Sequence, residues 1–128
     1  MQKTILKKNY PRVILPILLL VLLITSDFYP QSKIQSGVWS VSPSLADYSL
    51  DTNNGERSMI IEIRFKNPFR QKPNIFISVS QIDSDKETNV RYNVETISVS
   101  RDGFTLKVKT WADSKIFSLS GYWLAVVN

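Results

Sequence analysis

Beyond residue 56 apolar and polar side chains alternate with a period of two, and nothing after residue 30 repeats at the 3.6-residue spacing of a helix. Met59, Ile61, Ile63 and Phe65 alternate with Ile60, Glu62, Arg64 and Lys66 until Asn67-Pro68 ends the run. From Asn74 to Ile82, Ile75, Ile77 and Val79 face one way and Phe76, Ser78 and Ser80 the other. Val90 to Val99 opposes Val90, Tyr92 and Val94 to Arg91, Asn93 and Glu95. After the tight turn Arg101-Asp102-Gly103, one face carries Phe104, Leu106, Val108, Thr110 and Ala112, and the other Thr105, Lys107, Lys109 and Trp111. Ile116 to Val127 is the closing strand, joined to its predecessor by a short Ala112-Asp113-Ser114-Lys115 turn. Upstream, only Ile34 to Val41 reads as a strand, weakened by Gly37. Short strands at this spacing predict an all-β fold, a six-stranded antiparallel sandwich.

The N-terminus is of a different kind. Lys3, Lys7, Lys8 and Arg12 precede an unbroken apolar run from Val13 to Ile24, the layout of a secretory signal. As a helix, residues 13 to 26 would span about 21 Å at ~1.5 Å each, short of the roughly 30 Å of bilayer hydrocarbon. A cleaved signal peptide and a secreted product are expected. An uncleaved signal anchor, with the domain facing outside, is the alternative, because Ile24 and Ser26 make a poor cleavage site. The expected division is 1–26 as signal peptide or signal anchor, 27–55 as an N-terminal strand and loop, and 56–128 as the core of the sandwich.

Charge and composition exclude several functions. The four basic residues named above precede residue 27 and none of the 11 acidic ones does, so the remaining 12 of 16 basic residues leave a net charge of +1. That balance suggests neither a nucleic-acid binder nor an anionic-membrane binder, and membrane contact is expected only through an uncleaved anchor. Without His or Cys there is no Ser-His-Asp triad, no thiolate nucleophile and no conventional zinc site. Asp83, Asp85 and Glu87 form an acidic cluster, but Thr88 and Val94 stand where a calcium loop needs glycine and a bidentate acid. It reads as a solvated loop. No enzyme and no cofactor are expected.

Two residues invite a binding role. Trp111 is a large ring in a row of water-facing residues, and Arg91 points to the polar side of the preceding strand. An arginine fork beside an exposed ring can hold a polyhydroxylated ligand: the donors take hydroxyls and the ring packs against C–H groups. Arg91 could equally pair with Glu62 or Glu95 on a wet face, and Trp111 could be half-buried under a loop.

The ordered series Phe65-Lys66-Asn67-Pro68-Phe69-Arg70-Gln71-Lys72-Pro73-Asn74-Ile75, Ser80-Gln81-Ile82-Asp83, Asn89-Val90-Arg91-Tyr92, Gly103-Phe104, Thr110-Trp111-Ala112-Asp113 and Tyr122-Trp123-Leu124-Ala125 resembles the H-type lectin domain. That family includes snail agglutinins and the C-terminal domain of the discoidins, and the resemblance covers about Ile34 to Val127. It implies a six-stranded sandwich that assembles as a homotrimer and binds glycans of the N-acetylgalactosamine or galactose type, with no calcium in the sugar contact. It also implies carbohydrate contacts by Arg91 and Trp111. Phe117 stands where a tyrosine is often found, and Ala112 where some members carry histidine. In the Asp51-Thr52-Asn53-Asn54-Gly55 loop, Asn54 by spacing and Asp51 by chemistry are the matches to the family's sugar-binding aspartate. The resemblance implies adhesion or glycan recognition; the alternative is a structural or protein-interaction module on the same sandwich that binds no sugar.

Overall fold

The computed structural model describes residues 33–52 and 54–128. The N-terminal signal or anchor expected over residues 1–26 lies outside them.

Six strands follow in order: β1 (Ile34–Val41), β2 (Arg57–Arg64), β3 (Asn74–Ser84), β4 (Tyr92–Val99), β5 (Gly103–Thr110) and β6 (Ile116–Val126). They form two three-stranded sheets, β1-β6-β3 and β2-β5-β4, with every described pairing antiparallel. Only β4 and β5 are consecutive neighbours in one sheet; every other connection passes between sheets. The short linker after Thr110 is therefore an arch between sheets rather than a hairpin turn. Alternation fixes which side chains of a strand share a face, but not which sheet the next strand joins.

The inward faces close on one core. Phe104, Leu106 and Val108 of β5 and Leu119, Trp123 and Ala125 of β6 are buried, with Trp39 and Val41 from β1, Met59 from β2, and Leu50, Phe65 and Phe69 from the loops. Phe65 stands edge-on to Phe69 at 4.9 Å, and Trp123 packs against Phe104 at 5.5 Å and Phe65 at 5.8 Å. Gly37 lies under the Trp123 ring: a Cβ there would come within 2.7 Å of the indole. The glycine that weakens β1 as a sequence signal thus makes room for one of the two core tryptophans. At Gly121 a Cβ would fall 1.8 Å from the Ser78 carbonyl oxygen, so β3 and β6 can approach closely beside the register shift at Val79/Gln81.

The register settles the faces at the end of β6 and after β5, where it corrects the inward place given to Ala112. Leu124 faces out, because Leu119, Gly121, Trp123 and Ala125 take the inner positions of β6. Ala112 leaves the core row after Thr110, turning to a positive φ of 55° that ends the strand. Among the described residues no helix is long and apolar enough to cross a membrane.

Candidate functional site

Three loops meet at one end of the sandwich: residues 42–56 between β1 and β2, 85–91 between β3 and β4, and 111–115 between β5 and β6. The last of these knits the others together. Ala112 O accepts from Gly55 N at 3.0 Å, Lys115 O from Asp85 N at 3.0 Å, and Ile116 N donates to Leu50 O at 3.0 Å. Tyr48 Oη donates to Ile116 O at 2.7 Å. Burial, then the nearby Asp51 and Asp83 carboxylates, pushes the Tyr48 pKa up to about 12, so it remains a neutral donor through the physiological range.

Ser114 is the centre of this knot and is fully buried. Its hydroxyl donates to Asn89 O and accepts from Arg91 N at 3.1 Å. Beneath it lies Arg57, a buried cation at an inward position of β2, donating to Ser114 O and, at 3.3 Å, to Ala112 O. Neither residue stands out as a site residue in the sequence. The signal for Arg57 is parity: extending the inward row Ile63, Ile61, Met59 by one step puts a guanidinium in the core, where it needs dedicated acceptors. Replacing it by methionine keeps the apolar stem and removes the donors of two loop carbonyls. Arg57→Met is expected to cost ~2 kcal/mol, seen as a lower melting temperature together with faster amide exchange at Ser114.

On this base sit the two residues singled out above. Continuing the β4–β5 register one step past Tyr92 opposite Thr110 brings Arg91 opposite Trp111. Thr110 Oγ1 donates to Arg91 O at 2.6 Å, fixing the backbone where the ladder ends. Trp111 is 39% exposed, and its ring contacts no other aromatic among the described residues. Arg91 pairs with neither Glu62 nor Glu95: its Nη1 donates to Asp113 Oδ1 at 2.5 Å, with a longer contact to Ser114 Oγ at 3.4 Å. One arm of the fork is thus held, while Nε and Nη2 have no partner among the described residues. Asp113, read in the sequence only as a turn residue, places a carboxylate beside the arginine and two positions from the ring.

The other candidates divide. Ala112 is exposed next to Trp111, and Asn54 precedes the Gly55 whose amide is bonded to Ala112, so both belong to this cluster. Asp51 lies on the Tyr48 side, where its charge acts on the phenol. Phe117 is exposed at the register shift between Asp83 and Ser84 of β3. No hydrogen bond or ring contact among the described residues joins Asp51 or Phe117 to Arg91 or Trp111. The acidic residues Asp83, Asp85 and Glu87 do not converge on a common point: among the described residues there is no group of three or more His, Cys, Asp or Glu side chains that could hold a metal ion. Asp85 instead accepts from Glu87 N at 2.9 Å in a local turn.

Known proteins resemble this chain in sequence and fold. The H-type lectin domain profile matches residues 60–126, from β2 to the end of β6. Discoidin-1 of Dictyostelium discoideum is 28% identical over 103 residues, covering 77% of this chain and 40% of that protein. The ATP synthase subunits region ORF 7 protein of Fuscovulum blasticum is 32% identical over 75 residues, 59% of this chain and 65% of that one. The chain thus spans less than two thirds of the length of each. Wild-type discoidin II from Dictyostelium discoideum superposes with a TM-score of 0.66 at 22% identity, over 77% of this chain and 39% of its own. With the profile covering more than half of the sequence and the fold agreeing strand for strand with what the resemblance implied, the chain belongs to the H-type lectin domain family.

Proposed function

We propose that this protein is a carbohydrate-binding lectin for glycans of the N-acetylgalactosamine or galactose type, and that the sugar sits at the Arg91–Trp111 end. The observation that carries this is the exposed Trp111 ring opposite an arginine whose orientation is fixed by Asp113. The ring offers a flat face for sugar C–H groups, the free part of the fork offers N–H donors, and Asp113 offers a strong acceptor. Asn54 and Ala112 border the site; Asp51 and Phe117 are more distant candidates. An amide at Asn54 exchanges a charged acceptor for a weaker one plus a donor, and Asp113 supplies the carboxylate that the loop does not.

The outer face of β1-β6-β3 supports assembly of copies. Val38 lies beside Tyr122 and Leu124 beside Phe76, and Val38 is 73% exposed and Phe76 59%. A contiguous apolar face of this kind needs a cover. A homotrimer built on it would present three sites together and serve adhesion or glycan recognition through avidity. Export, through the apolar segment before residue 27, places such a protein outside the cell, secreted or anchored.

A glycan array with wild-type protein and Arg91→Lys is the test. Binding to galactose-type glycans that the lysine variant weakens supports the reading, since lysine keeps the charge and loses the fork. A silent array favours the alternative, an interaction module on the same sandwich, which Asn54 and the hydroxyl-free Phe117 also favour.

A further inference from the structure

The nearly balanced charge of the domain hides a segregation that only the fold brings out. The end opposite Trp111 is formed by the starts of β1, β3 and β5 and the ends of β2, β4 and β6, as the pairs Ile34↔Val126, Asn74↔Val126 and Arg64↔Gly103 require. The 65–73 loop and the 100–102 turn are locked together there: Phe65 N donates to Asp102 O and Phe69 N to Arg101 O, each at 2.9 Å. Val127 N donates to Lys33 O at 2.9 Å, and Gln35 Nε2 to Asn67 O at 2.7 Å, so the first described residue belongs to the same end. Among the described residues the fold thus gathers Lys33, Arg64, Lys66, Arg70, Lys72 and Arg101, all exposed, against Glu62 and Asp102. The ion pairs found among the described residues, Lys86–Glu87, Arg91–Asp113 and Lys109–Glu56, use none of these cations. At the opposite end Asp47, Asp51, Glu56, Asp83, Asp85, Glu87 and Asp113 outnumber Arg57, Lys86, Arg91, Lys109 and Lys115, three of which are the cations of those ion pairs.

We propose that this basic end is a docking surface for an anionic lipid bilayer. Two observations choose that partner. The cations are spread over a strand end, a loop and a turn as a broad cap; the pocket at this end, beside Arg64, is lined by the Glu62 and Asp102 carboxylates and no second cation, so it is no cleft for a small anion, and the cap suits a diffuse field of negative headgroups. The covalent path from the cap leads from Lys33 into the preceding 32 residues, and these hold the apolar run Val13 to Ile24. A chain that leaves the domain at its basic end and continues into a lipid-compatible segment brings that end to a membrane whenever the segment is retained. The Trp111 end then faces away from the lipid, whatever ligand it takes, and its small excess of acidic residues disfavours the reverse orientation.

The test is flotation of the full chain with vesicles of phosphatidylcholine alone or with added phosphatidylglycerol. The apolar segment contributes to both; the basic cap supplies an excess only for the anionic vesicles, and that excess falls as salt is raised. Each cation removed is expected to cost about fivefold, so the triple variant Lys66→Gln/Arg70→Gln/Lys72→Gln should lose on the order of 100-fold of the anionic excess while binding neutral vesicles unchanged. Arg64→Gln/Arg101→Gln, on a separate strand and turn, should act in the same direction, and circular dichroism of both variants checks the fold. Equal partition of the wild type into both vesicle types overturns the proposal. So does an anionic excess that survives in both folded variants, which assigns it to the N-terminal lysines. Retention on heparin without any vesicle excess also overturns it and makes the cap a site for a soluble polyanion.

Discussion

Trp123→Ala is expected to lower the stability of the sandwich by about 3–5 kcal/mol, the range for truncating a buried tryptophan, which a thermal melt should register as a drop on the order of 15–30 °C for a domain of this size. The indole is the piece that β6 pushes between the sheets. It is packed against Phe65 and Phe104 and lies directly over Gly37. Removing it empties the middle of the aromatic cluster on both sides, and the backbone at Gly37 has no side chain with which to fill the void. The protein has no cysteine, so no disulfide compensates. A drop of only a few degrees would mean that the cluster collapses around the gap and that the core is more plastic than its ring geometry implies.

Trp111→Ala has the opposite signature. Its ring lies outside the core, so the melting temperature is expected to move by only a few degrees, while binding to a glycan-coated surface is lost. A shallow site with one stacking ring and a few hydrogen bonds, each in competition with water, has an expected dissociation constant on the order of 0.1–1 mM, about −5.5 to −4 kcal/mol. Loss of the stacking face removes ~1–2 kcal/mol of that small total, and on a multivalent surface the loss is compounded at every engaged site. Surface plasmon resonance on immobilised galactose-type glycans, alongside the melt, separates the two effects. A variant that binds as before shows that the ring only shields a loop.

Most of the fold was legible from alternation because each strand has one face in the core, and a period of two then writes itself into the residue order. The limits of β1 are read correctly even through Gly37, whose meaning depends on Trp123, far away in the chain. The arch at 111–115 was not legible: four residues suit a hairpin as well as a crossing between sheets, and the choice rests on bonds from Leu50, Gly55 and Asp85 that no local pattern encodes. Leu124 shows the same limit, being an apolar residue that the register puts on an outer sheet face.

The candidate site was legible in part. Arg91 and Trp111 carry their own signal, an arginine and a ring on polar faces of adjoining strands, and the register brings them opposite each other. Asp113 and Ser114 look like ordinary turn residues until the arch folds back over Asn89 and Arg91. Arg57 could have been found by extending the parity of β2 one step beyond Met59. Charge segregation was the least legible property, because a net charge counts residues and says nothing of which end of a strand they occupy.

Whether a sugar binds at the Arg91–Trp111 end can be seen by watching the three tryptophans separately. Their indole N–H resonances report distinct places: Trp39 is buried and donates to Ser78 O at 3.2 Å, Trp123 is in the aromatic core, and Trp111 is exposed. Titration with N-acetylgalactosamine followed by nitrogen–proton correlation spectra should shift the Trp111 indole and the Arg91 Nε–H signal with one dissociation constant near the expected range, leaving Trp39 and Trp123 in place. Sugar-dependent shifts confined to residues elsewhere on the domain, or no shift of Trp111 at saturating sugar, would mean that no sugar binds at the Arg91–Trp111 end.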